Sequence, residues 1–198
     1  MFNRDEKYIL IGYSFGSLLA IKFANLLESK GKSGNIVIID GSPKFLNEML
    51  NQLLPADCSD EFIKGITIQS CIKLLFRDSA QEISKKVFTK PTIEERLEEF
   101  LTNAVQRSEY SKDYGRKMIT GLTNRIKICS NVEKLTFSVL KNSPMTFIKA
   151  SESSLTKIDE DFGLKKYVEG VIQINVVNGD HLSILSSSEL IDIINSIM

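Results

Sequence analysis

The sequence contains the motif Gly12-Tyr13-Ser14-Phe15-Gly16, a G-x-S-x-G, directly after the apolar run Tyr8–Gly12. A serine in this pattern can act as a nucleophile when a sharp turn between a strand and a helix lifts its hydroxyl above a sheet edge. The two flanking glycines are expected to allow the close backbone approach of such a turn. The alternative is an ordinary loop in which Ser14 only caps a helix. The flanking pattern favours the nucleophile, with the Phe15 N–H as a donor to a developing oxyanion.

Histidine occurs once in the chain, at His181. A serine nucleophile needs a general base that titrates near neutral pH, and histidine is the usual one. His181 follows the apolar run Val171–Val177, so it lies just beyond the end of a predicted strand. Catalytic groups of α/β sheets gather at the carboxyl ends of strands. We therefore predict that His181 is the base, the alternative being a surface loop histidine.

A carboxylate must orient the histidine ring, and several acids are available for this role. Asp40 ends the apolar run Asn35–Asp40, the next strand signal after the serine motif, although it could instead cap a turn. Asp180 is too close to His181 along the chain to orient it well. A later strand signal is followed by three rival acids, Glu152, Asp159 and Asp161. From the residues alone Asp40 is favoured and the later acids stay open.

Hydrophobic periodicity predicts the elements that position these residues. Tyr8–Gly12 and Asn35–Asp40 are short, continuous apolar runs, typical of strands buried on both faces of a parallel sheet. Ser17–Lys30, between them, has the apolar stripe of an amphipathic helix. Strand, helix and strand over this length form a βαβ unit with parallel strands. Later patterns predict two further strands and a closing helix, at Met145–Ala150, Val171–Val177 and Ser187–Met198.

The intervening stretch has helical periodicity and no convincing strand. Four helices are predicted there, near Phe45–Leu54, Ser59–Phe76, Thr92–Arg107 and Lys112–Leu135. We therefore predict an α/β-hydrolase fold, with a mostly parallel sheet flanked by helices. Residues 1–43 and 142–198 would form its core, and residues 44–141 a helical lid or substrate-binding insertion.

The composition excludes several classes of protein. The 198 residues include 25 basic and 25 acidic ones, which gives no electrostatic case for binding nucleic acid or an anionic membrane surface. Three widely spaced cysteines, with no C-x-x-C pair, predict neither a zinc site nor a disulfide framework. No apolar run approaches the roughly 18 residues of a membrane span, and no signal peptide is recognised. We expect a soluble, cytoplasmic protein without a metal or cofactor.

The sequence resembles the thioesterase domain at the C-terminal end of animal-type (type I) fatty acid synthase. The resemblance rests on Tyr8–Gly16 (Y-I-L-I-G-Y-S-F-G), where the family has a similar G-Y-S-Y-G. It rests also on the more distinctive D-G-S-P of Asp40–Pro43. Pro91–Leu97 is similar to a helix of the family's lid, and Gly179–His181 to its G-D-H. These segments lie in the family's order, over nearly the whole chain.

This resemblance implies hydrolysis of the thioester that joins a finished long-chain fatty acyl group to an acyl carrier protein. Ser14, His181 and the D-G-S-P aspartate, Asp40, would form the catalytic triad and act through an acyl-serine intermediate. The implied partner is the acyl carrier domain with its phosphopantetheine arm, within a larger multidomain synthase. Apolar residues of the lid could line an acyl groove, although residues at helical spacing more often form the core between helices. The candidate groove residues are Phe62, Ile63, Ile66, Phe100 and Leu101.

Three alternatives stay open. Polyketide-synthase and peptide-synthetase thioesterases share the fold and the position of the acid. A serine esterase or lipase would act on oxygen esters instead, and a non-catalytic module would only bind acyl chains or a carrier. We also expect that strands preceding the nucleophile strand in the complete fold are missing from this chain. The second oxyanion donor would then come from outside it.

Overall fold

The structure, a computed structural model, describes residues 7–55, 57–107, 110–152 and 158–197. Met198, the last residue of the predicted closing helix, lies outside the described residues. The chain divides into two compact units, one formed by Met1–Gln52 with Cys129–Met198 and the other by Leu53–Ile128.

The first unit is built on a parallel sheet whose four strands, within the described residues, follow the order β1-β2-β3-β4. The strands are β1 (Tyr8–Tyr13), β2 (Gly34–Ile39), β3 (Met145–Ala150) and β4 (Ile172–Val177). Every neighbouring pair is parallel, so the carboxyl ends of all four strands lie at one edge of the sheet. The predicted α/β fold with a parallel sheet is confirmed, and each strand begins and ends within one residue of its prediction.

The helices of the described residues are α1 (Gly16–Glu28), α2 (Pro43–Leu53), α3 (Asp60–Phe76), α4 (Ala80–Phe88), α5 (Ile93–Val105), α6 (Lys112–Cys129) and α7 (Ser188–Ile197). In the first unit, α1 connects β1 to β2. Helix α7 follows β4 in the chain and packs on the core of this unit. That core joins side chains of β2, β3 and β4 to α7, and it includes Val37, Ile39, Ile148, Val177 and Leu190. The central strand β2 is almost continuously buried, which explains its uninterrupted apolar sequence.

The second unit consists of helices α3 to α6. Their buried side chains form one cluster that includes Ile68, Ile72, Phe100, Leu101 and Ile119. Helix α5 starts with a capping box, in which the Thr92 hydroxyl accepts from the Glu95 N–H and the Glu95 carboxylate accepts from the Thr92 N–H. No helix in the described part of the chain is long and apolar enough to cross a membrane.

The sequence-based helix assignments in the second unit need two corrections. Helix α4 was not predicted, because it is short and buries only Ile83 and Val87. Helix α6 ends at Cys129, whereas the prediction extended to Leu135; the chain turns after Cys129 and makes a short 3₁₀ turn at Val132–Lys134.

Candidate active site

Ser14 lies in the sharp turn between β1 and α1, with a φ of 52°. Its N–H donates to the Ile39 carbonyl at 3.0 Å, which fastens the turn to the end of β2. Gly12 is required for this approach, because a β-carbon there would lie 2.5 Å from the Gly16 carbonyl oxygen. At Gly16 a β-carbon would meet nothing within 4 Å. The steric expectation is therefore confirmed for Gly12 and wrong for Gly16.

Asp40 follows β2 directly and is almost completely buried, with 2% of its surface exposed. Its N–H donates to the Ile148 carbonyl at 2.8 Å, and its Oδ1 accepts from the Ala150 N–H at 3.0 Å. The end of β3 therefore fixes both the backbone and one carboxylate oxygen. The other oxygen, Oδ2, lies 2.7 Å from His181 Nδ1.

His181 completes a continuous chain of hydrogen bonds. Its Nε2 lies 2.9 Å from Ser14 Oγ, while Nδ1 faces Asp40. With the ring proton on Nδ1, the ring donates to Asp40 and accepts from the Ser14 hydroxyl. The structure thus brings together the three side chains predicted to form a triad. In this arrangement a base is placed to take the proton of the hydroxyl, and a buried carboxylate to orient the base.

The rival acids have other neighbours. The Asp159 carboxylate lies 2.6 Å from Lys44 Nζ at the surface. Asp161 accepts from the N–H groups of Gly163 and Lys165. Asp180 accepts from the backbone of the turn after it, and these hydrogen bonds lower the pKa of its carboxyl. Glu152 is exposed, and its N–H donates to the Gly179 carbonyl.

Each residue of the D-G-S-P segment has a structural role. Asp40 reaches the histidine, and Gly41 packs against the Ser14 backbone without room for a β-carbon. The Ser42 hydroxyl accepts from the Phe45 N–H at 2.9 Å and so caps α2. Pro43 occupies the first position of that helix, where its missing N–H costs nothing. This cap explains why α2 begins at Pro43, two residues before the predicted start.

Two aromatic residues beside His181 were not predicted as site residues. The Tyr13 hydroxyl donates to the His181 carbonyl at 2.5 Å, and the two rings stack with centroids 4.9 Å apart. The Phe45 ring centroid lies 6.4 Å from that of His181. Burial raises the pKa of Tyr13, and the nearby carboxylates of Asp40 and Asp180 raise it further. The sequence signal that could have identified Tyr13 as a site residue was its position next to Ser14 in the motif.

Phe15 lies between Ser14 and α1, with helical backbone angles. Its N–H therefore belongs to the N-terminal end of α1, where the aligned peptide dipoles favour negative charge. Among the described residues, no group of three or more His, Cys, Asp or Glu side chains is placed to hold a metal ion.

The model of the thioesterase domain family matches residues 2–198. The chain belongs to the thioesterase domain family. No curated protein matches the sequence significantly.

Solved structures of several other proteins share the fold. A holo four-domain nonribosomal peptide synthetase bound to AMP and glycine matches with a TM-score of 0.67 and 17% identity. The match covers 96% of this chain and 14% of the synthetase. Human thioesterase 2 matches with a TM-score of 0.53 and 13% identity, over 98% of this chain and 71% of that one.

A thioesterase from the prodiginine biosynthetic pathway of Streptomyces coelicolor gives a TM-score of 0.58 and 16% identity. That match covers 96% of this chain and 60% of the Streptomyces protein. The chain thus spans only a small part of the multidomain synthetase and less than two thirds of the Streptomyces thioesterase.

The five residues predicted for an acyl groove separate into two groups. Phe62, 43% exposed, and Ile66 line an open groove of about 640 Å³ in the helical unit, between α3 and the start of α5. Phe100 and Leu101 are buried in the helix–helix core, and Ile63 is buried as well. These three side chains do not line the groove; those of Phe100 and Leu101 are instead covered by other side chains of the helical unit.

Proposed function

We propose that this chain hydrolyses an acyl thioester through an acyl-serine intermediate on Ser14. The observation that carries the proposal is the hydrogen-bonded chain from Ser14 Oγ through His181 to the buried Asp40 carboxylate. Membership of the thioesterase domain family supports a thioester as the substrate class.

In the first step, His181 Nε2 accepts the Ser14 proton while Oγ forms a bond to the thioester carbonyl carbon. The imidazolium that results is stabilised by Asp40, which stays ionised and fixes the ring through Nδ1. Collapse of the tetrahedral intermediate breaks the C–S bond. The proton on Nε2 passes to the leaving sulfur, so a thiol departs and an acyl-Ser14 ester remains.

In the second step, water attacks the acyl-Ser14 carbonyl and His181 takes its proton. The C–O bond to Ser14 breaks, the proton returns to Oγ, and the carboxylic acid is released. Both tetrahedral intermediates carry a negative oxygen. We assign the Phe15 N–H, at the N-terminus of α1, as a donor to it; one such donor is worth about 3 kcal/mol of barrier.

We further propose a long-chain fatty acyl group as the substrate, with its release ending fatty acid synthesis. The resemblance of D-G-S-P and G-D-H to the fatty acid synthase domain supports this choice. The groove beside Phe62 and Ile66 supports it as well, since apolar walls suit an alkyl chain.

A polyketide or peptidyl thioester is the second candidate, and polar groups in the same groove favour it. Gln69 and Arg96 line the groove, and the Arg96 guanidinium lies over the Phe88 ring, 5.5 Å from its centroid. Polar groups of this kind suit an acyl chain that carries amide or hydroxyl groups. The match to a peptide synthetase agrees with this candidate at the level of the fold.

The partner in either case would be a carrier domain that presents the acyl group on a phosphopantetheine arm, within a larger synthase. The four-domain peptide synthetase that shares the fold supports a place within a larger synthase, because it is itself a multidomain protein.

The test measures release of free thiol from palmitoyl-CoA by the full chain. Ser14→Ala and His181→Ala are each expected to lower kcat by more than about 1,000-fold. Ser196→Ala, at an exposed serine of α7, is the control and should leave kcat unchanged. Thiol release that persists in Ser14→Ala would contradict the proposal, as would a folded wild-type chain that releases no thiol from any acyl thioester tested.

Two further substrates and a serine-labelling reagent separate the remaining candidates. A thioester of an N-acylated dipeptide, used at the same concentration, tests the second candidate; a higher kcat/KM than for palmitoyl-CoA would favour it. Faster hydrolysis of p-nitrophenyl palmitate than of the matched thioester would indicate an oxygen esterase. Acyl binding without labelling of Ser14 by a fluorophosphonate would indicate a non-catalytic module.

A further inference from the structure

We propose that Tyr13 is a positioning residue that holds His181 at two points, through its hydroxyl and through the face of its ring. The inference rests on the proposed function, because it concerns the base of that reaction. It adds a residue that the predicted triad does not include.

Tyr13 connects the two edges of the sheet. It ends β1, whereas His181 follows β4, and β2 and β3 lie between these strands. Strands are spaced by about 4.8 Å, so the two edge strands are separated by roughly 14 Å. The hydrogen bond from the Tyr13 hydroxyl to the His181 carbonyl, at 2.5 Å, therefore fastens the histidine loop to the strand that carries the nucleophile.

The histidine loop is held at Gly179, whose carbonyl accepts from the Glu152 N–H, but His181 itself is only partly buried. The His181 side chain is 36% exposed, and the residues on either side, Asp180 and Leu182, are exposed as well. The loop also contains Gly179, whose φ of 121° is open to few other residues. A loop of this kind is free to move unless contacts fix it.

The ring contact acts on the imidazole itself. The Tyr13 and His181 ring planes are inclined by 24°, so the face of Tyr13 covers the imidazole. The face of an aromatic ring carries negative charge density, which favours the imidazolium formed when Ser14 loses its proton. The stack also limits rotation of the ring, which keeps Nε2 directed at Ser14.

The hydroxyl stays a donor over the working range of pH. Burial and the carboxylates of Asp40 and Asp180 keep the pKa of Tyr13 above its usual value of 10.0. The hydrogen bond to the His181 carbonyl is thus present wherever the base can act.

The test compares Tyr13→Phe, which keeps the ring and removes the hydroxyl, with Tyr13→Leu, which removes both contacts. We expect kcat for palmitoyl-CoA to fall about fivefold in the first variant, the value of one neutral hydrogen bond. A fall of about 50-fold is expected in the second, because the base is then misplaced. KM should change less than about twofold in both, since Tyr13 acts on the base and not on the acyl chain.

Tyr8→Phe is the matched control. Tyr8 lies at the other end of the same strand, where its hydroxyl is 2.8 Å from Ser143 Oγ. It therefore loses an equivalent hydrogen bond far from the histidine loop, and we expect its kcat to equal that of the wild type. Melting temperatures of all variants identify any effect that comes from stability alone.

The outcomes separate this inference from the proposed function. If Ser14→Ala is inactive while Tyr13→Phe and Tyr13→Leu keep the wild-type kcat, the inference is overturned and the function stands. It is also overturned if Tyr13→Phe and Tyr8→Phe lower kcat equally. If Ser14→Ala remains active, the proposed function itself fails. If Tyr13→Leu does not fold, Tyr13→Phe still tests the inference, because it keeps the ring. Its kcat is then compared with that of Tyr8→Phe.

Discussion

Gly41 lies directly against the backbone of Ser14. A β-carbon at Gly41 would come within 2.6 Å of the Ser14 carbonyl oxygen and 2.9 Å of the Ser14 Cα. The turn that carries the proposed nucleophile and the turn that carries the proposed acid are therefore packed on each other. Both turns have an unusual backbone, since φ is 52° at Ser14 and 43° at Asp40. We therefore expect a shift of one turn to displace the other.

The first prediction concerns this contact. In Gly41→Ala the added methyl group must push the Ser14 turn away, because the atoms it meets are backbone. We expect kcat/KM to fall by about 100-fold through misplacement of the hydroxyl. We expect the free energy of unfolding to fall by about 1–3 kcal/mol. Gly170→Ala is the control, since a β-carbon there would meet nothing within 4 Å. Wild-type activity in Gly41→Ala would show that the two turns are not coupled.

The second prediction concerns the acid. Asp40→Asn keeps the size of the side chain but removes the charge that favours the His181 tautomer and the imidazolium. We expect kcat to fall by about 10³- to 10⁴-fold with little change in KM, measured as thiol release. Asp159→Asn removes one of the rival acids, which pairs with Lys44 at the surface, and should stay within about twofold of the wild type. The reverse ranking of the two variants would move the acid to the later strand.

The choice between these acids shows where sequence reasoning stops. The apolar pattern predicted all four strands of the described sheet, the first two as continuous apolar runs and the last as a partly alternating one. It left the acid open, because the contact that fixes Asp40 joins it to the Ala150 N–H, 110 residues further along the chain. Such long-range contacts leave no local signal. The favoured choice of Asp40 came from strand order and from the distinctive D-G-S-P.

The same limit applies to Tyr13 and to the helical unit. The role of Tyr13 depends on a loop from the opposite edge of the sheet, and no spacing in the sequence reveals that neighbour. In the helical unit, periodicity assigned Phe62 and Phe100 to apolar faces of their helices. It could not say which face another helix covers, because that depends on packing between helices.

The third prediction concerns pH and stability. The Glu28 carboxylate accepts from the N–H groups of Lys141 and Asn142, each at 2.9 Å. Burial alone would raise the pKa of Glu28, but these hydrogen bonds, with those from Ser143, outweigh it and lower the pKa below its usual 4.5. The unfolded chain then binds the proton more readily. The stabilisation is therefore present above about pH 4.5 and is lost as the pH falls through the lowered value.

This pH dependence is checked by comparing the melting temperatures of Glu28→Gln and the wild type from pH 3 to pH 7. We expect Glu28→Gln to melt about 2–4 °C lower at pH 7, which corresponds to about 1 kcal/mol for a partly exposed charged acceptor. The difference should shrink towards zero at pH 3. Glu169→Gln, at an exposed carboxylate of the same unit, should show no such trend. A difference that stays constant with pH would exclude the charge as its cause.

The last prediction separates the two groups of residues in the helical unit. Phe100 is fully buried among Phe76, Leu97 and Ile119, so Phe100→Ala leaves a cavity. We expect it to lower the free energy of unfolding by about 3–5 kcal/mol. Phe62 lines the groove and is 43% exposed, so Phe62→Ala should lower the free energy of unfolding by less than about 1 kcal/mol. If the groove holds the acyl chain, Phe62→Ala should instead raise KM for palmitoyl-CoA by about three- to tenfold.

The acyl chain length gives this prediction its internal control. A groove contact lowers the KM of a long chain and leaves that of acetyl-CoA unchanged, because a two-carbon acyl group has almost no apolar surface to bury against such a wall. Phe62→Ala should therefore reduce the ratio of kcat/KM between palmitoyl-CoA and acetyl-CoA. Equal effects on both substrates would place the acyl chain elsewhere and leave Phe62 with a role in the structure of the helical unit alone.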